Sequence, residues 1–151
     1  MTMNEHKNPA KEFLSRYGNL FQQRESLLRS IDIIRANATN TGVHLNPVRV
    51  QSSAPIHDQM AEEAAKIVDM TAKLDDLVKE IDQALSEILQ AIRTVDDSTQ
   101  QTVLMLRYVE GLDWSEIQNR IGYEKTQTMV YHGRALLSVS AWLKERTKTD
   151  F

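Results

Sequence analysis

The chain has no cysteine. That excludes disulfides and thiolate metal sites, and it suits a reducing compartment. Glycine (5) and proline (3) are scarce among 151 residues, which argues against a turn-rich all-β fold. No apolar run approaches the roughly 18 residues of a membrane span. The first ten residues lack the apolar stretch of a signal peptide. The expectation is a cytoplasmic protein with no membrane partner. Catalytic motifs are missing too. The histidines at 6, 44, 57 and 132 have no metal-ligand spacing, the glycines form no phosphate loop, and there is no Gly-x-Ser-x-Gly elbow. The expectation is therefore no enzyme, no cofactor and no metal.

What is present is charge, unevenly placed. Residues 1–50 hold seven Lys/Arg against four Asp/Glu, and residues 51–97 hold four against eleven. Residues 98–151 hold seven against six. The three segments differ in charge, and the strongly acidic middle one would repel nucleic acid.

Hydrophobic spacing predicts an all-α chain. Asn8 and Pro9 suit the N-cap and first position of a helix. From there Phe13, Tyr17, Leu20, Leu27, Ile31, Ile34 and Ala38 recur at helical intervals. Leu14, Phe21 and Leu28 widen that stripe. Residues 39–58, with Gly42, Pro47 and Pro55, read as a connection, and Val43, Leu45, Val48 and Val50 could form a short extended piece inside it. A second helix is predicted over 59–96, about 57 Å long at 1.5 Å per residue. Its seam is Met60, Ala64, Ile67, Thr71, Leu74, Val78, Ile81, Leu85, Ile88, Ile92 and Val95, stepping by four and three as in a coiled coil. Residues 1–97 are expected to fold as a helical hairpin, or to dimerise through the same seam.

Residues 98–151 are expected to form a second domain. Ser98 and Gln101 suggest a capping box for a helix running to about Glu110, with Gly111 ending it. Asp113 and Glu116 suggest a second capping box for a short helix over 114–121. Gly122 and Tyr123 make a turn, and a last helix runs from about Lys125 to Arg146, burying Thr128, Tyr131, Ala135, Leu136, Val139 and Trp142 or Leu143. Two capped helices around a tight glycine turn describe a helix-turn-helix, whose second helix enters the major groove of DNA. Trp114 and the tyrosines read as packing residues. His132 reads as a structural side chain, with phosphate contact by its protonated form as the alternative.

The stretch Val103-Leu104-x-Leu106-Arg107-Tyr108-x-x-Gly111-Leu112-x-Trp114-x-Glu116-Ile117, then Gly122-Tyr123, then His132-Gly133-Arg134-Ala135-Leu136, resembles region 4 of bacterial sigma factors. It resembles still more a family of small phage and prophage proteins that join a helical N-terminal half to a sigma-like C-terminal domain. Late transcription regulators of the ArpU and RinA type are among them. The resemblance covers about residues 98–143. It implies a sequence-specific transcriptional regulator that binds double-stranded promoter or operator DNA, with RNA polymerase as a possible partner. It places Lys125, Thr126, Gln127, Met129, Val130 and Gly133 toward the groove, with Arg134 and Arg120 near the backbone. Region 4 carries basic and polar residues where Met129 and Val130 stand, so contacts there would be apolar. The alternative is a protein-interaction or oligomerisation module, docking on RNA polymerase or serving as a small-terminase-like DNA-packaging component.

Overall fold

The structure, a computed structural model, describes residues 8–41 and 54–149. Among these residues the regular elements are all helical, with no strand: α1 (Pro9–Thr41), α2 (Ala54–Arg93), α3 (Ser98–Leu104) continuing into a π-helical turn (Met105–Val109), α4 (Trp114–Ile121) and α5 (Lys125–Thr149). The expected connection over 39–58 is shorter than the sequence suggested. α1 runs on to Thr41, and α2 begins at Ala54, five residues early. Pro55 fits there because the first helical turn has no donor to lose. The short extended piece over 43–50 lies outside the described residues.

Local chemistry explains most helix ends. The Asn8 side chain accepts from the backbone N–H of Ala10 (3.1 Å) and of Lys11 (3.3 Å), satisfying donors that no earlier turn can reach. α2 stops at Arg93, three residues before the expected end, and closes with tight bonds from Thr94 N–H to Ala91 and from Val95 N–H to Ile92, each 3.1 Å. α3 is capped by Asp97, whose carboxylate accepts from Gln100 N–H at 2.8 Å. The expected Ser98–Gln101 box does not form. Ser98 is the first helical residue, and the Gln101 amide instead donates to the Val95 carbonyl. Asp97 wins because a carboxylate is a stronger acceptor for the helix's free N–H groups than a hydroxyl. After Leu104 the helix widens into the π turn, with Glu110 N–H bonding Met105 O at 3.0 Å. Gly111, at φ 72°, then lets Leu112 N–H turn back to Leu106 O at 2.9 Å.

The chain divides into two compact units whose boundaries fall inside α1 and α2. The first comprises Met1–Leu20 and Ile81–Phe151. Its core draws Leu14 from α1, Ile88 and Ala91 from α2, Leu104 from α3, and Ala135 and Val139 from α5, all completely buried. Each such Leu or Ile side chain contributes about 1.5–3 kcal/mol of transfer free energy. Phe13 and Trp142 close one side, ring centroids 5.7 Å apart. Trp142 and Leu143 both pack against this core.

The second unit, Phe21–Glu80, contains the remaining parts of α1 and α2. Among its described residues Ile31 is the one buried hydrophobic side chain. Gln23 and Leu27 of α1 line a groove with Lys73, Asp76, Leu77 and Glu80 of α2.

The seam of α2 is half as expected. Ile67, Leu74, Ile81, Ile88 and Val95 face inward, wholly or in part. Between them the covered positions are Met70, Leu77, Ala84 and Ala91, each one residue earlier than Thr71, Val78, Leu85 and Ile92. Of the residues expected there, only Ile92 is also buried; Thr71 and Val78 are exposed. Steps of three and four flank the same line on opposite sides, so the sequence pattern allows either.

Candidate nucleic-acid interface

The site begins with α4, an eight-residue helix that is short enough to depend on its ends. Asp113 accepts from Glu116 N–H at 2.8 Å, and the Glu116 carboxylate accepts from Asp113 N–H at 3.3 Å. This is the expected capping box. Gly122 ends α4 in the left-handed conformation, φ 74°, with its N–H on Gln118 O at 2.9 Å. Three residues, Gly122 to Glu124, separate α4 from α5. The Thr128 backbone N–H and hydroxyl both bond to the Glu124 carbonyl, at 3.0 and 2.9 Å, which secures the first turn of α5.

The inner side of α5 is held by fully buried Ile117 and Thr128 and by half-buried Ile121. Tyr131, expected inside, is only half-buried and stacks edge-on with Tyr123 at 5.1 Å. The inward residue is its neighbour His132, 8% exposed. His132 Nε2 lies 2.7 Å from the Tyr108 hydroxyl, and the Trp114 ring meets the imidazole edge-on at 4.7 Å. The Arg107 guanidinium sits 4.7 Å over the Trp114 ring and donates to the Leu112 carbonyl at 3.1 Å. Burial, with Lys11 and Arg107 adding repulsion, pushes the His132 pKa down to about 4. Burial pushes the Tyr108 hydroxyl up to about 12. Both groups are neutral at neutral pH, and the hydrogen bond joins the π turn to α5. The ring lies inside against the Tyr108 hydroxyl and the Trp114 ring, not at the surface where a phosphate contact would need it.

The outer side of α5 carries most residues singled out from the sequence. Lys125, Thr126, Gln127, Gly133 and Arg134 are exposed, and Val130 is 38% exposed. Thr126, Val130 and Gly133, spaced by four and three, share one line along the helix. Met129 is half-buried and sits at the margin of this face. Arg120, near the end of α4, is exposed and 3.5 Å from the Glu110 carboxylate. It also borders a shallow groove with Ser98, Thr99, Thr102, Ile121 and Tyr123. Around this face the exposed charged side chains are Arg120, Lys125 and Arg134 against Glu124 and the Glu110 carboxylate paired with Arg120, a local excess of one positive charge.

One residue of this face was missed. Leu137, 72% exposed, continues the line one turn beyond Gly133. Its seven-residue spacing from Val130 was the available signal, hidden because the inward residues of the same helix are also apolar. Among the described residues no group of three His, Cys, Asp or Glu could hold a metal ion, and no helix is long and apolar enough to cross a membrane. No protein-family model, no curated protein and no solved structure matches the chain.

Proposed function

We propose that the chain is a sequence-specific DNA-binding protein in which α4 and α5 act as a helix-turn-helix, with α5 as the helix that enters the major groove. The carrying observation is the two-sidedness of α5: its inner side is held by Ile117, Thr128 and His132, while Thr126, Gln127, Val130, Gly133 and Arg134 are open on the other and Lys125 is exposed at the first turn. A reading helix needs both properties, because base edges are met only by a rigid element with a free face. Lys125, Arg134 and Arg120 would supply the phosphate contacts. In this reading α1 and α2 form a hairpin that carries the DNA-binding part, and the likeness to sigma region 4 makes a phage-type transcription regulator the natural assignment. The pairing of Arg16 with Glu87, in the first unit, supports the hairpin. So does the groove shared by residues 23–27 and 73–80, in the second.

The test is titration of duplex DNA at several salt concentrations. Affinity should fall steeply with salt. Lys125→Ala, Arg134→Ala and Arg120→Ala should each flatten the dependence of log K on log salt by about 0.9, the value of one released counterion. Weak binding that is identical in all four proteins would defeat the proposal. A second reading, docking of a partner protein such as RNA polymerase on the same face, is favoured by one observation: Leu137, 72% exposed, adds a large apolar side chain at the far end of the line.

A further inference from the structure

We propose that Val130 and Gly133 form an apolar notch on α5 that receives the C5 methyl group of thymine, making the preferred target a duplex with thymine at the centre of the site. This inference rests on the DNA-binding reading and deepens it. Val130 occupies the middle of the outer line, 38% exposed, and its side chain has no donor or acceptor. Gly133 lies three residues on, inside a 25-residue helix where glycine weakens the structure relative to alanine. Nothing in the fold explains that glycine. A Cβ built on it would meet no atom within 4 Å, and its backbone is not in the left-handed region. The missing side chain leaves open space on the outside of the helix, one turn from Val130.

The occupant follows from chemistry. In the major groove each base edge presents donors and acceptors, and thymine alone adds a hydrocarbon group. An isopropyl group next to a bare backbone matches a methyl and nothing else there. The flanks favour DNA over a protein partner: Gln127 and Arg134, three residues before and four after Val130, border the notch with a polar amide and a positive charge and no carboxylate.

The experiment starts by selecting bound duplexes from a random pool with the full chain. Each thymine of the selected site is then replaced by uracil, which keeps the pairing edge and loses only the methyl. At one or two adjacent positions, affinity should drop about three- to fivefold, the worth of one buried methyl. Val130→Ala should bind thymine and uracil duplexes equally. Gly133→Ala should raise the thermal midpoint and yet weaken binding of the thymine duplex, opposite signs that a merely structural glycine would not produce. Salt-dependent, sequence-specific binding with equal affinity for both duplexes would overturn this inference and leave the proposed function standing. No salt-dependent binding to any duplex would overturn both.

Discussion

α1 and α2 pass through both units of the chain, and the same spacing of hydrophobic residues has opposite outcomes in them. Between Ile81 and Ile92, α2 buries Ala84, Ile88 and Ala91 almost completely. Between Phe21 and Glu80, Ile67, Met70, Leu74 and Leu77 are only half-buried, while Met60, Val68 and Val78 are exposed. The difference lies in the number of neighbours. Side chains of α1, α3 and α5 join Ile88 in one cluster, so each is surrounded. A helical stripe prescribes which side of a helix is apolar; how much of it leaves water depends on how many elements come to cover it.

That contrast can be broken most directly by truncation. Ile88→Ala should destabilise the chain by about 3–4 kcal/mol, because the site is fully enclosed and cannot collapse. Leu74→Ala, half-buried, should cost about half as much. Urea denaturation of the two variants measures both, and equal losses would refute the difference in packing.

Acid provides the next test. The His132 ring titrates at about 4 in the folded chain against 6.5 unfolded, so above pH 6.5 it is neutral in both states and its contribution is complete. As pH falls from 6.5 toward 4 the unfolded chain binds a proton that the folded chain refuses, and stability declines by up to about 3 kcal/mol. His132→Gln keeps a polar partner near Tyr108 but cannot titrate. Thermal midpoints of this variant should lose most of the wild-type slope over that window. Amide exchange should report the acid effect in α5 before residues 58–80. An unchanged slope in the variant would move the acid sensitivity to other groups.

The smallest effect is electrostatic. Glu87 faces Arg16 at 3.4 Å and Arg146 at 3.9 Å and accepts from the Gln83 amide at 2.8 Å. Both arginine side chains are nearly half exposed, so Glu87→Gln should cost less than about 1 kcal/mol. A loss rivalling that of Ile88→Ala would mean that charge, not packing, distinguishes the first unit.

Much of the candidate site was legible beforehand because its signals are local. Asp113 and Glu116 needed only each other, three residues apart, and Gly122 needed only its own backbone freedom. The open positions on α5 followed from its period, once Ile117 and Thr128 were taken as the inner side. Tyr131 was expected inside and His132 as a surface or partly buried structural side chain, because adjacent residues lie only about 100° apart on a helix and both are aromatic. What decided between them was the Tyr108 hydroxyl and the Trp114 ring, brought to His132 by the π turn and α4.

The sequence by itself determined that the described parts of the chain are helical, where Asn8, Asp113, Gly111 and Gly122 start and stop the helices, and which residues of α5 belong to one line. Each of these depends on interactions spanning a few residues. Tertiary structure alone decided that Met70, Leu77 and Ala84, not Thr71, Val78 and Leu85, are the more covered residues of α2, and that an uncharged His132 lies beneath the outer face of α5. Those outcomes depend on which element approaches from which side, information that no short stretch of sequence contains.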